Sequence, residues 1–163
     1  MRESNVCGGL LAAVLLAATL SAGPGAAQEP EPVTPRLTPK LHGLLVQEMN
    51  AVLAASQEIL GALVRGEDAV VAEKAQAVHD SFIMQQQMTE QDRKDLMQAV
   101  PQAFVERDRA FHQLTGELAG AARAGDRARQ HDLFAHMVEA CSACHARYAT
   151  DRFPELKGAV GGD

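Results

Sequence analysis

The sequence predicts an all-α protein built as an antiparallel four-helix bundle. Four segments carry apolar residues at the three- and four-residue spacing that forms one face of a helix. The links between these segments are short and contain residues that end or begin helices, such as Gly66 and Asp126. No segment shows the alternating pattern of a strand. Amphipathic helices joined by short links favour an antiparallel bundle.

Residues 1–27 have the pattern of a secretory signal peptide. Arg2 precedes an apolar run at residues 10–20, and the small residues 25–27 form a cleavage site. The run is too short to span a membrane comfortably, and no stop-transfer segment follows it. Cys7 precedes the run and is expected to be removed with the signal. We therefore predict an exported chain with no stable membrane insertion after cleavage.

The exported chain has the length of one domain. Residues 28–37 are rich in proline and are predicted to form an extended, solvated leader. Residues 38–155 are predicted to form the bundle, and residues 156–163 a flexible tail.

Helix one is expected to begin with Thr38 as N-cap and Pro39 in its first turn, and to stop at Gly66. Its predicted inner face is Leu41, Leu45, Met49, Val52, Ile59 and Leu63. Helix two is expected to run from Glu67 or Asp68 to Met88. Its predicted inner face is Val71, Val78, Phe82 and Ile83.

A short helix is predicted from the capping box of Thr89 and Asp92 to the stop at Pro101. Helix three follows, with Phe104, Phe111, Leu114 and Leu118 on its inner side, and ends near Gly125. Asp126 is expected to cap helix four, whose predicted inner stripe is Phe134, Val138, Cys141 and His145. His79 and His112 are expected at helix boundaries or partly exposed positions.

Cys141-Ser142-Ala143-Cys144-His145 is the C-x-x-C-H signature of c-type haem attachment. Two thiols become thioethers to the porphyrin, and the following imidazole binds the iron. Residues three and four apart are neighbours on a helix, so a single turn can supply all three bonds. The sequence thus predicts one covalent haem c, bound through Cys141 and Cys144, with His145 as the proximal iron ligand.

Other uses of the two thiols are a redox pair, a structural zinc site and an idle pair. A redox dithiol is expected at a helix N-terminus after a strand, where the thiol pKa is lowered. A structural zinc needs a fourth ligand, and the sequence has no second cysteine pair. Export agrees with haem attachment, because c-type haems are attached outside the cytoplasm.

The formal net charge of -6 argues against nucleic-acid partners and anionic membrane surfaces. Aromatic residues make up 4% of the chain, so few large rings are available for a core. A buried haem would supply apolar volume. No hydrolytic triad or second metal cluster is recognisable, so enzymatic activity is not expected.

A signal peptide, four helices and C-x-x-C-H in the last helix, with Tyr148 after it, resemble the cytochrome c′ family and its low-spin relatives. The resemblance covers roughly the whole exported chain. It implies a second axial position on helix one, occupied either by an apolar residue or by Met. Aligning Arg65-Gly66 with the basic-Gly end of that helix makes Met49 the candidate sixth iron ligand. The alternatives are a gap-filling core Met49 and ligation by His42.

Arg147 is a candidate for contact with a haem propionate. The alternative is a positive charge placed to suit a helix C-terminus. The family often has a basic residue directly after the aromatic, where this chain has Ala149.

The resemblance implies a periplasmic electron carrier with an unidentified redox protein as partner. The alternative is a five-coordinate haem protein that binds nitric oxide or another small gas. The resemblance also implies a homodimer formed through helices one and two.

Overall fold

The computed structural model describes residues 29–81 and 87–157, and these residues form an all-helical fold without a strand. Their α-helices are α1 (Pro39–Arg65), α2 (Asp68–His79), α3 (Glu90–Ala99), α4 (Gln102–Arg123) and α5 (Arg127–Tyr148). Short 3₁₀ turns occupy Thr34–Arg36 and Pro154–Leu156. Helices α1, α2, α4 and α5 pack as the bundle, and α3 lies in the connection between α2 and α4. The predicted fold class is confirmed.

The predicted caps set the bounds of the long helices. The Thr38 side chain accepts a hydrogen bond from the Leu41 amide at 3.3 Å, which satisfies one of the free amides at the start of α1. Gly66 and Gly125 adopt φ values of 70° and 68°, a left-handed conformation that glycine reaches without a Cβ clash. Each therefore ends a helix and lets the chain reverse direction.

Helix α2 ends earlier than predicted. The expected continuous helix to Met88 is wrong at Asp80 and Ser81, because Asp80 forms the C-cap and Ser81 lies outside the helix, although Gln87 is again helical. The Asp80 carboxylate accepts hydrogen bonds from Gln76 Nε2 at 3.0 and 3.1 Å, and the Ser81 amide donates to the Val78 carbonyl at 3.2 Å. Asp and Ser form such local bonds readily at helix ends. Phe82 and Ile83, predicted to face the core, lie outside the described residues.

The capping box at the start of α3 is confirmed. The Thr89 amide donates to the Asp92 carboxylate at 2.7 Å, and the Asp92 amide donates to Thr89 Oγ1 at 3.2 Å. Lys40, in the first turn of α1, also donates to the Asp92 carboxylate. This contact joins the beginning of α1 to the beginning of α3.

Two apolar clusters form the interior. The larger lies between the four bundle helices and contains Val52, Ile59, Ala62, Val71, Ala72, Ala75, Val78, Leu118, Ala119, Ala122, Leu133 and Met137. The smaller lies at the C-terminal end of α5 and contains Val33, Ala99, Val100 and Tyr148, with Cys144 packed against it. The haem-attachment sequence is thus adjacent to the smaller cluster.

Part of α1 and part of α5 bury residues one position away from those predicted, although the predicted Leu41, Val52 and Ile59 of α1 are buried. In α1, Leu44 and Glu48 are buried, whereas Leu45 is half-buried and Met49 is exposed. In α5, Leu133 and Met137 are buried, whereas Phe134 is half-buried and Val138 is 51% exposed. One residue corresponds to about 100° of rotation. Leu44 and Leu45 are neighbouring apolar residues, as are Leu133 and Phe134, so helical spacing alone did not determine which member of each pair is buried. Packing against the other helices buries Leu44 and Leu133.

The leader is part of the folded domain, so the expectation of a solvated segment is wrong for Glu31 and Val33. The Glu31 amide donates to the Arg147 carbonyl at 2.7 Å, and the Val33 amide donates to the Tyr148 carbonyl at 2.9 Å. The last carbonyls of a helix lack partners within the helix. Val33 is 2% exposed and packs in the smaller cluster. The leader thereby closes the end of α5. Residues 1–28, including the predicted signal, and 158–163 lie outside the described residues.

The Asp92 carboxylate is predicted to stabilise the fold in a pH-dependent way. Hydrogen bonds from Lys40 and Thr89 lower its pKa to about 2. The stabilisation is therefore complete above the unfolded-state pKa of about 4 and is lost as the pH falls through about 2. We expect Asp92→Asn to have a lower thermal midpoint than the wild type at neutral pH, with little difference near pH 2. Asp95→Asn on the same helix is the control. A deficit of the same size at both pH values would contradict this account.

Val33→Ala is predicted to destabilise the protein by roughly 1–3 kcal/mol, because it leaves a cavity at the end of α5. Val64→Ala removes the same atoms from a side chain that is 81% exposed, and it should change stability by less than about 0.5 kcal/mol. Urea unfolding of the two variants provides the comparison. Equal stability of Val33→Ala and the wild type would show that the leader does not contribute to the fold.

Candidate haem-attachment site

Cys141, Cys144 and His145 all lie within the unbroken helix α5. Cys144 and His145 follow Cys141 by three and four residues, so the three side chains are neighbours on one side of the helix. The two cysteines are not joined in a disulfide, and all three residues are half-buried. One turn of α5 therefore presents two thiols and an imidazole together.

Burial keeps the two thiols protonated. It raises the pKa of Cys144 to about 11, with a further contribution from the negative charge of Asp108. Burial likewise raises the pKa of Cys141 above its ordinary value. A catalytic dithiol and a zinc-binding thiolate need a lowered thiol pKa. The environment of this pair favours neither use.

The position of the two cysteines in α5 also argues against a redox dithiol, and their surroundings argue against a zinc site. Cys141 and Cys144 lie near the C-terminal end of α5, whereas a redox dithiol gains from the positive end of a helix dipole at its N-terminus. Across residues 29–81 and 87–157, no group of three or more His, Cys, Asp or Glu residues is arranged to hold a metal ion.

The His145 imidazole is suited to bind a metal as a neutral ligand. Burial lowers the pKa of His145 below its ordinary value, so the ring is neutral at physiological pH and has an available lone pair. Its ring is stacked on that of Phe153, with centroids 4.5 Å apart and planes 14° from parallel.

This donor set fits a haem c. Cys141 and Cys144 would hold the porphyrin through thioether bonds at Sγ, and His145 would bind the iron through a ring nitrogen. The exposed side chain of Val138, one turn before Cys141 and Ser142, adds an apolar contact surface on the same helix. The three residues predicted from the sequence are thus brought together by α5.

Met49 lies on α1 with 37% of its surface exposed and does not belong to either apolar cluster. It shares the outer side of α1 with other exposed apolar residues, which are Val46, Leu53, Leu60 and Val64. A methionine that fills a gap in the core would be buried. His42, the other axial alternative, is exposed in the first turn of α1. The role of Met49 as sixth ligand stays a prediction.

The bundle contains a cluster of titratable side chains that was not predicted from the sequence. Glu48 and His112 are 5% and 4% exposed, and His112 Nε2 lies 3.8 Å from Glu48 Oε1 and 3.7 Å from Asp108 Oδ1. His112 Nδ1 lies 2.8 Å from the Val78 carbonyl oxygen, an acceptor, so this nitrogen carries a proton. Burial raises the pKa of Asp108, which in turn acts on Cys144. Asp108 thus connects the cluster electrostatically to Cys144.

The expectation of a peripheral His112 is therefore wrong. Its backbone carbonyl also accepts hydrogen bonds from Thr115 Oγ1 at 2.8 Å and from His79 Nδ1 at 2.6 Å. The sequence did contain a signal for this cluster. Glu48 follows Leu44 by four residues and precedes Val52 by four, which places a carboxylate on the apolar face of α1 and calls for a buried partner.

Arg147 faces the leader. Its guanidinium Nη2 lies 3.7 Å from the Glu31 carboxylate, and its Cζ lies 5.3 Å from the centre of the Tyr148 ring. Tyr148 itself is 1% exposed and meets Phe104 edge to face at 5.3 Å. These contacts connect the end of α5 to the leader and to α4. A contact between Arg147 and a haem propionate stays a prediction.

Comparison with known proteins identifies the family. No curated protein and no solved structure matches the chain significantly. A family model described as Cytochrome C' matches residues 42–149, which extend from the first turn of α1 to the residue after Tyr148 and include the C-x-x-C-H sequence. The match thus covers well over half of the chain, and the protein belongs to the cytochrome c′ family.

Proposed function

We propose that this member of a family of non-enzymatic haem proteins is a periplasmic electron carrier with one covalent haem c. The observation that carries the proposal is the half-buried C-x-x-C-H turn of α5. Its thiols and neutral imidazole would supply the required bonds, and the partial exposure of these residues is compatible with access by a redox partner.

When bound, the haem supplies an iron that gains and loses one electron. The chain's own residues hold it in place. Cys141 and Cys144 supply the two thioether sulfurs, and His145 supplies the proximal lone pair. Tyr148 and Val33 anchor the end of α5, so the three donors are presented on a fixed helix rather than on a loop.

Met49 supports electron transfer over gas binding. A thioether on the distal side would complete a six-coordinate iron and raise its reduction potential. Met49 is partly exposed and lies outside both apolar clusters, which is compatible with this role. In the gas-binding alternative, Met49 would not bind the iron, and the sixth coordination position would be available to a gas molecule.

The periplasmic location follows from the attachment chemistry and from the signal pattern of residues 1–27. Thioether formation takes place outside the cytoplasm, and the predicted signal supplies the route of export. Among the helices that the structure describes, none combines the length and apolar character needed to cross a bilayer.

The double variant Cys141→Ala, Cys144→Ala tests covalent attachment. We expect the wild-type protein exported from a cell with cytochrome c maturation to carry the mass of one haem, and the variant to carry none. The variant should also lose cooperative helical melting in circular dichroism, because the core lacks a large apolar group without haem.

Single variants are the controls. Cys141→Ala or Cys144→Ala alone should permit attachment by one thioether, with an altered pyridine haemochrome band. A wild-type protein that matures without covalent haem would refute the proposed function. A cooperative melt of the double variant would refute only the predicted dependence of folding on haem.

Met49→Ala tests the axial ligand. If Met49 binds the iron, the wild type shows a low-spin spectrum with a thioether-to-iron band, and the band disappears in the variant. The reduction potential should also fall, because the neutral thioether favours the ferrous state. Met97→Ala, which truncates a methionine that is 59% exposed on α3, is the control and should leave the spectrum unchanged. A high-spin wild-type spectrum that Met49→Ala does not alter would favour gas binding.

A further inference from the structure

The ring of Phe153 lies on the face of the His145 imidazole. The ring centroids are 4.5 Å apart and the planes are 14° from parallel, so the two rings are stacked. Phe153 belongs to neither apolar cluster, and 37% of its surface is exposed. The aromatic ring is therefore placed against the imidazole rather than in the core of the bundle.

Backbone hydrogen bonds after α5 hold Phe153 in this position. The Ala149 amide donates to the His145 carbonyl at 3.1 Å, and the Phe153 amide donates to the Ala149 carbonyl at 2.8 Å. The Leu156 amide in turn donates to the Phe153 carbonyl at 3.1 Å, at the start of the turn Pro154–Leu156. These bonds fold the chain back against the helix end that carries His145.

This stack is compatible with metal binding. The lone pair of an imidazole nitrogen lies in the plane of the ring, so an iron atom approaches along that plane. Phe153 covers a face of the ring and leaves the in-plane direction open. The same side chain can therefore contact His145 before and after haem is attached.

A parallel stack restricts one motion in particular. An imidazole bound to iron can still rotate about the bond between its nitrogen and the metal. Turning it would tilt its plane away from that of Phe153 and lose the stacking contact. Groups in contact with a metal-bound histidine commonly set the orientation of its ring.

We propose that Phe153 is a positioning residue that sets the rotation of the His145 imidazole relative to the haem. The proposal rests on the proposed haem attachment at Cys141 and Cys144. Phe153 does not bind the iron and acts only through His145. It extends the functional site beyond the C-x-x-C-H sequence into the segment that follows α5.

The test uses the haem-loaded wild type and the variants Phe153→Tyr, Phe153→Leu and Phe153→Ala. Proton NMR of the ferric proteins reports the haem-methyl resonances, whose paramagnetic shifts depend on the orientation of the axial imidazole. Mass spectrometry and the pyridine haemochrome spectrum of each sample first establish that haem is attached. Leu60→Ala, on an exposed part of α1, is the control for truncation of a surface apolar residue.

Phe153→Tyr keeps the aromatic face and should reproduce the wild-type pattern of haem-methyl shifts. Phe153→Leu keeps apolar bulk without the face, and it should give shifted or duplicated methyl resonances, as should Phe153→Ala. Leu60→Ala should match the wild type. Wild-type shifts in Phe153→Leu would overturn the positioning role, even if Phe153→Ala proves unstable. A wild-type chain without covalent haem would instead overturn the proposed function on which this role rests.

Discussion

The packing of Tyr148 is the interaction on which the C-terminal end of α5, with its C-x-x-C-H sequence, depends. This ring meets Phe104 of α4 edge to face and packs with Val33 of the leader and with Ala99 and Val100 at the end of α3. Because Tyr148 lies three residues after His145, the same contact fixes the turn of helix that carries His145. The C-x-x-C-H donors are thereby held on a rigid element, as precise ligand geometry requires.

The interior contains two apolar clusters and one group of titratable side chains. The larger cluster consists of aliphatic side chains between the four helices, and the smaller cluster closes the end of α5. Glu48, His112 and Asp108 are also partly or fully buried, and Asp108 acts electrostatically on Cys144. Buried charges are tolerated when they are paired, and removing one partner of such a group is costly. Within this cluster, His112 is the partner that lies nearest to the carboxylates of Glu48 and Asp108.

The segments at both ends of the bundle contribute to the site. Glu31 and Val33 donate amide hydrogen bonds to the last carbonyls of α5, and Phe153 returns from beyond α5 to stack on His145. The composition did not predict either contribution, because a proline-rich leader and a short C-terminal segment are typical of solvated termini. Their order comes from a helix end that offers unpaired carbonyls and a half-buried imidazole.

The sequence by itself determined the helical class, the caps at Thr38, Thr89 and Asp126, and the C-x-x-C-H sequence of Cys141, Cys144 and His145 that predicts haem attachment. These features depend on neighbours within a few positions, so they can be read locally. Tertiary structure decided that Leu44 rather than Leu45 is buried in α1, because both leucines fit the helical period and only packing against the other helices separates them. It also decided that α2 stops at His79, that Glu48 meets His112, and that Phe153 reaches His145. These outcomes depend on contacts between separate elements or on competition between local bonds and helix extension, which the spacing of residues does not record.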